Sequence, residues 1–193
     1  VIKDNGAIVL FAQGMFTAQL MMSNPDMWRY NLIWDKMFVS GFLNAKKMPM
    51  RSHEDILVFY KSLPTYNPQM TTCQPKHGKE TSYKNKDVTN NCYGDIKGTE
   101  DDRKGSTEKY PTSIVRFQKP HPSCAVHPTQ KSVELCEWLI KTYTNEGETI
   151  LDNCMGSGTT GVAAINTNRN FIGIELTEKY FKIAEERINE AVE

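Results

Sequence analysis

The stretch Ile150 to Gly161, together with Phe171 to Glu175, constrains the fold more than any other part of this 193-residue chain. A short apolar run, Ile150-Leu151, ends in Asp152, and the turn Gly156-x-Gly158-x-x-Gly161 follows. Small residues at helical spacing come next, then a second apolar run that ends in Glu175. Strand, glycine turn, helix and strand make a βαβ unit. Its glycines let the backbone approach a ligand closely, and an acid closing the second strand can bind a ribose diol. The unit predicts an α/β fold with a nucleotide-like cofactor at the turn. The plainer alternative is a glycine-rich turn that binds nothing.

Two cofactor classes use such a unit. The glycine spacing fits the dinucleotide fingerprint, with an acid about 20 residues on, as NAD sites require. Two details favour S-adenosylmethionine (SAM). Asp152 stands four residues before Gly156, where its carboxylate can meet a methionine ammonium group. The run His127-Pro128-Thr129-Gln130-Lys131-Ser132 lies just upstream and predicts a helix from Pro128, with Thr129 as its cap. On these residues Asp152, Gly156, Ser157, Gly158 and Glu175 are the candidate cofactor contacts.

The residues Asn153 to Gly161 and His127 to Leu135, in this spacing, resemble the cofactor motifs of the DNA amino-methyltransferases. The match is to the permuted β-class order, in which the cofactor half follows the catalytic half. Asn31 to Lys36 and Ser52 to Lys61 also resemble that family, particularly its small phage-type adenine methyltransferases. The resemblance covers most of the chain and is thin over residues 70 to 110. The family usually has Pro-Phe where Asn153-Cys154 stands, so packing beside the cofactor is expected to differ.

The resemblance implies a Rossmann-like, SAM-dependent methyltransferase sheet, mostly parallel, with an irregular DNA-recognition insert. It implies methyl transfer from SAM to an exocyclic amine of a base flipped out of double-stranded DNA, adenine N6 before cytosine N4. It adds His127, Thr129 and Lys131 to the cofactor site. A helix N-terminus there would aim free N–H groups at the cofactor carboxylate, and Lys131 would add charge. The partner is DNA, with room for a homodimer and a restriction-modification setting, and with neither metal nor membrane. Three alternatives stay open. A nicotinamide-dependent oxidoreductase would bind NAD but leaves His127 to Lys131 unexplained. A non-catalytic fragment would bind cofactor or DNA without turnover. An RNA or small-molecule methyltransferase shares the cofactor unit, since fold does not fix substrate.

The family holds the flipped base with an Asp/Asn/Ser-Pro-Pro-aromatic tetrapeptide, whose polar groups accept hydrogen bonds from the amine while the aromatic ring stacks on the base. No Pro-Pro pair occurs in this sequence. Asn24-Pro25-Asp26-Met27 and Leu63-Pro64-Thr65-Tyr66 come nearest, but neither has the second proline or follows a convincing central strand. In permuted members the loop precedes the strand that Ala7 to Ala12 represents here. The catalytic residues are therefore left unassigned. The expectation is a longer methyltransferase whose catalytic loop, central strand and one edge strand lie before Val1.

The pattern along the chain divides it into a target-base half of the core (1–61), a recognition insert (62–124) and a cofactor half (125–193). Five of the family's seven strands are recognisable: Ala7–Ala12, read as a buried parallel strand, Leu32–Trp34, Ile56–Tyr60, Ile150–Asp152 and Phe171–Glu175. Phe16, Leu20 and Met21 sit at helical spacing, and Thr177 is placed to cap a last helix with Phe181, Ala184, Ile188 and Ala191 on one face.

Overall charge is balanced, with 23 basic and 23 acidic residues, but its distribution is uneven. Residues 1 to 61 and 62 to 116 each carry a net +2, and 117 to 193 carry −4. The stretch Met37 to His53 holds Lys46, Lys47, Arg51 and His53 with no acid among them, which makes these four the candidate DNA-phosphate contacts. The alternative is a solvated loop. Five cysteines with no Cys-x-x-Cys pair argue against a disulfide framework or zinc site and point to a reducing, cytoplasmic setting. Cys154 is expected to be a buried, inert thiol.

Overall fold

A computed structural model of the chain describes residues 2–72, 88–90, 94–96, 107–121 and 123–192. The elements, in chain order, are β1 (Ile8–Ala12), α1 (Met15–Ser23), β2 (Trp28–Ser40), a 3-10 turn (Phe42–Asn44), β3 (Arg51–Phe59), β4 (Thr71–Thr72), β5 (Val88–Asn90), β6 (Gly94–Ile96), β7 (Glu108–Lys109), β8 (Ile114–Arg116), α2 (Val133–Tyr143), β9 (Thr149–Asp152), α3 (Thr159–Asn166), β10 (Asn170–Gly173) and α4 (Glu178–Glu190). They fall into two compact units, Val1–Gln69 with Thr112–Glu193, and Met70–Pro111.

The smaller unit contains two antiparallel pairs, β4 with β7 and β5 with β6. Much of the middle of the expected recognition insert, including Cys73 and Cys92, lies outside the described residues.

The larger unit has the expected α/β architecture. Its four-stranded sheet has the order β1-β3-β2-β8, and β9 and β10 form a separate parallel pair. Strand β8 also lies parallel to β2. The run Ala7–Ala12, expected as a buried parallel strand, instead pairs antiparallel to β3, with Leu10 opposite Leu57, and only Ala12 in it is buried. The cause is the β2–β3 hairpin, which returns β3 between β1 and β2. An unbroken apolar run reports covered faces, not the direction of a neighbour. Strand β2 grows far beyond Leu32–Trp34 because Leu32, Trp34 and Lys36 alternate inward. Strand β8 was not legible as a strand.

Helix α2 joins the two sheets. Its Leu135, Leu139 and Tyr143 pack with Leu32, Trp34, Ile56, Val58 and Val115 of the larger sheet. Its Cys136 and Ile140 pack with Ala163 and Ala164 of α3, over Ile150 and Phe171. Trp34 is fully buried, and its indole N–H donates to the Phe117 carbonyl at 2.7 Å. Burying an aliphatic or aromatic side chain of this size contributes about 1.5–3 kcal/mol, so α2 is the main fastening between the sheets.

Helix α2 starts later than the sequence predicts. Thr129 does not cap it, because the Thr129 N–H and Oγ1 both face His127 Nδ1, at 3.2 and 3.1 Å. Ser132 caps instead, its Oγ accepting from the Leu135 N–H at 3.4 Å. At α4, Thr177 holds the N-cap position without a side-chain bond. Ala184 is buried on the expected face, while Phe181 is exposed.

Candidate cofactor site

Strand β9 delivers Asp152 to the start of the glycine turn. Its Oδ1 accepts from the Cys154 N–H at 3.1 Å, and its Oδ2 accepts from the Thr160 hydroxyl at 2.7 Å. Both oxygens therefore brace the turn and the first residues of α3. The turn is also stitched to β10, with the Ile174 N–H donating to the Asp152 carbonyl and the Met155 N–H to the Ile174 carbonyl.

Gly156 and Gly158 have φ of +53° and +75°, a region that side chains rarely adopt. At Gly158 a Cβ would stand 2.8 Å from the Ala184 Cβ, so the missing side chain is what lets α4 close on the turn. At Gly156 a Cβ would project towards the His127 ring, 3.5 Å from Nε2. That is ordinary van der Waals contact, so the positive φ, and not lack of space, is what favours glycine there. The ring of His127 packs edge-on against Tyr180 of α4, with centroids 4.3 Å apart.

Glu175 completes this group. Its Oε2 accepts from the Gly156 N–H at 2.9 Å and its Oε1 from the Thr177 N–H at 2.8 Å. The Thr177 N–H first, then the Gly156 N–H and the nearby His127, hold the carboxyl below the usual glutamate range. The group is an anion at neutral pH.

Ser157 ties the turn to α4. It is buried, and Arg187 of α4 donates to both its carbonyl and its Oγ. Burial lowers the Arg187 pKa from its ordinary value. Cys154 is exposed, contrary to expectation, but desolvation and then Asp152 raise its thiol pKa, so it is not a thiolate. Cys136 is buried, with its pKa pushed up to about 12 by that burial.

Because α2 begins at Val133, His127 to Lys131 form a turn and not a free helix N-terminus. Lys131 Nζ lies 2.7 Å from Glu54 Oε2, and the buried Lys36 Nζ lies 3.5 Å from Glu54 Oε1. Lys131 also sits over the Phe11 ring, 4.9 Å from its centroid. Among the described residues these two lysines share one carboxylate. Thr129 and Lys131 line a cavity with Phe11, Gln13, Glu54 and Lys119. His127 lines a second one with Lys119, Ala125 and Val126, and the glycine turn lines neither.

The structure thus gathers the eight expected cofactor residues into two groups joined by one loop. His127, Gly156 and Glu175 meet at the turn braced by Asp152, Ser157 and Gly158, while Thr129 and Lys131 open on the cavity beside β1. Sequence reasoning missed Lys36, Glu54, Gln13, Tyr180 and Arg187. A faint signal existed for Lys36, which continues the inward alternation of Leu32 and Trp34.

The four candidate DNA contacts are exposed, Lys46 and Lys47 in the connection between β2 and β3 and Arg51 and His53 in the first residues of β3. Arg51 donates to Gln13 Oε1 at 3.1 Å, and the His53 carbonyl accepts from Gln13 Nε2 at 3.0 Å. Among the described residues no cluster of His, Cys, Asp and Glu could hold a metal ion, and no helix is long and apolar enough to cross a membrane.

Residues 1–186 match the family model described as DNA methylase, of the N6/N4 type. The chain belongs to the DNA amino-methyltransferases. It is similar to the type II methyltransferase M.HpaI of Haemophilus parainfluenzae, with 26% identity over 98% of this chain and 55% of the relative. It is 32% identical to M2.MboI of Moraxella bovis over 65% of this chain and 42% of that protein. It is 43% identical to the DNA adenine methyltransferase YhdJ of Escherichia coli over 34% of this chain and 22% of that protein. The chain spans about half the length of the first of these relatives and less of the other two. Among solved structures it resembles the M1.HpyAVI–SAM complex, with 27% identity and a TM-score of 0.63 over 97% of this chain and 76% of that one. The PvuII cytosine-N4 DNA methyltransferase shares the fold at 14% identity, with a TM-score of 0.64 over 99% of this chain and 70% of that one.

Proposed function

We propose that this DNA amino-methyltransferase chain forms the cofactor-binding and DNA-holding part of a SAM-dependent enzyme that methylates an exocyclic amine in double-stranded DNA, adenine N6. The observation that carries the reading is the convergence of Gly156, His127 and Glu175 at the glycine turn, where the Gly156 N–H holds the Glu175 carboxylate beside His127. These residues fit SAM. Glu175 is an anion at the end of β10 with lone pairs left for a ribose diol. Lys131 contributes a positive charge at the cavity edge, suited to a carboxylate. Asp152 holds the turn and keeps lone pairs for an ammonium group. When bound, SAM supplies a sulfonium methyl electrophile. The residues of this chain bind and orient it.

Adenine is favoured over cytosine by the likeness of Asn31 to Lys36 and Ser52 to Lys61 to adenine methyltransferases, and by similarity to a relative named for adenine. Lys46, Lys47, Arg51 and His53 contact DNA phosphates in this reading. Residues 62–124 read the sequence between the two parts of the core, 1–61 and 125–193. The reading also includes a homodimer and a cytoplasmic place of action.

A second reading, binding of cofactor and DNA without turnover, has its own observation. The sequence has no Pro-Pro-aromatic tetrapeptide, and among the described residues no strand pairing joins the four-stranded sheet to β9–β10. Incubation with methyl-labelled SAM and mixed-sequence duplex DNA separates the two. Label on adenine N6 supports the first reading, and label on cytosine N4 moves the target. Bound SAM with no label transferred favours the second.

A further inference from the structure

The β2–β3 hairpin outruns its sheet. Strand β1 stops pairing with β3 at Ala12 opposite Asp55, and β8 stops pairing with β2 at Asp35. Beyond those pairs β2 runs on to Ser40 opposite Arg51, flanked by the segment after β8, where the Lys119 N–H donates to the Lys36 carbonyl and His121 meets the Phe38 ring, and residues 41–50, with the 3-10 turn Phe42–Asn44, connect it to β3. Between Asp35 opposite His53 and Ser40 opposite Arg51 the bulged β2 advances only as far as the matching stretch of β3, about 7 Å at roughly 3.3 Å per residue.

Its direction is fixed by the sheet. Strands β1 and β2 both run antiparallel to β3, so they run alike, and the arm leaves the sheet at the end where Ala12 and Gln13 lie. The cavity containing Lys131 opens at that same end. Gln13 braces the base of the arm, accepting from Arg51 and donating to the His53 carbonyl. The β2 strand bulges at the base, where Met37 adopts φ +51° and donates its N–H to Asp35 Oδ1 at 3.1 Å. Arg116 pins Asp35 at 3.3 Å. Bulges of this kind re-aim side chains and are retained where a function needs them.

The side chains of the arm are unusual for a surface. Phe42 and Leu43 at the tip are 74% and 83% exposed, and Met37, Val39 and Met48 are also exposed. Beside them stand Lys46, Lys47 and Arg51, with no acid between Met37 and His53. Apolar residues at the tip and cations along the flanks match a nucleic-acid duplex, which offers an apolar base stack between two rows of phosphates. A second copy fits less well, because two such arms meeting about a two-fold axis would oppose like charges.

We infer that the arm from Met37 to His53 is a DNA wedge, in which Phe42 and Leu43 enter a base step while Lys46, Lys47 and Arg51 hold the adjacent phosphates. The inference rests on the DNA reading above and deepens it. Turning a base out of the helix leaves a gap in the stack, and an inserted apolar side chain fills it.

Insertion unwinds DNA, so the test is topological. A nicked plasmid is sealed by ligase with the purified chain bound at saturation, and its linking number is measured. The wild-type chain is expected to leave a linking deficit. A Phe42→Ser/Leu43→Ser variant is expected to lose that deficit while the salt dependence of its DNA binding is unchanged. Its thermal melt serves as a folding control. A Lys46→Ala/Lys47→Ala variant is expected to show a shallower salt dependence with the deficit per bound chain retained. DNA binding without a deficit, or a deficit that survives in the serine variant, overturns the wedge and leaves the methyltransferase reading standing. SAM binding with no DNA binding overturns the wedge together with the DNA reading. If the serine substitutions convert a dimer to a monomer in sedimentation and the deficit is unchanged, the arm is a contact between copies and the wedge is wrong.

Discussion

The Gly156 N–H donates to Glu175 Oε2 at 2.9 Å, so the glycine turn and the acid at the end of the next strand form one bonded unit before any ligand arrives. The same carboxylate accepts from Thr177 at the start of α4, which sets the turn, strand β10 and helix α4 in register around one anion.

Replacing Glu175 with Ala is expected to weaken SAM binding about 10- to 100-fold, the range for losing charge-assisted hydrogen bonds, as measured by equilibrium dialysis with labelled SAM. The carboxyl is held below its ordinary value of 4.5. Its ionised form therefore contributes fully above that value, and the contribution is lost only as pH falls through the lower folded value. Affinity that depends on Glu175 is expected to stay flat from pH 8 to about pH 5 in the wild type.

Gly158→Ala is expected to destabilise the chain by about 2–4 kcal/mol, measured as a lower urea midpoint at unchanged slope. A left-handed backbone conformation and a Cβ 2.8 Å from that of Ala184 act together there. Gly147→Ala shares the positive φ but meets open space, so a smaller loss of about 1 kcal/mol is expected.

Alkaline pH is expected to expose the burial of Cys136. Its thiol titrates at 9.0 when unperturbed and at about 12 in the fold. Below pH 9 neither state is ionised and its contribution is constant. Between pH 9 and 12 the unfolded chain loses the proton and the folded chain keeps it, so stability falls by up to about 1.4 kcal/mol per pH unit. A Cys136→Ala variant is expected to show a flatter profile over this window in pH-dependent urea melts.

Neutralising Lys46 and Lys47 together is expected to reduce the slope of log affinity against log salt by about 2 on duplex DNA, the value for losing two phosphate contacts. Titrations by fluorescence anisotropy at several salt concentrations check this. An unchanged slope removes the pair from the interface.

The βαβ unit was legible because its signal is local: a glycine turn with positive φ can be read from residue type, and the flanking strands from short apolar runs. The direction of β1 was not legible, since it depends on where a distant hairpin inserts its second strand. The start of α2 was misplaced because His127 takes both polar groups of Thr129, an interaction that spacing does not reveal and that passes the cap to Ser132. The bond from Arg187 to Ser157 was not legible, because an approach from thirty positions away leaves no pattern in the sequence. Lys36 and Glu54 escaped notice for a similar reason. A buried lysine is rare unless paired, and its partner lies on another strand.

The central claim is that the site around Gly156, His127 and Glu175 binds SAM. Isothermal calorimetry of the purified chain with SAM, and in parallel with NAD, tests it most directly. Saturable binding of one SAM per chain, weakened in Glu175→Ala and absent with NAD, is the expected result. Binding of NAD with no heat from SAM would contradict the claim.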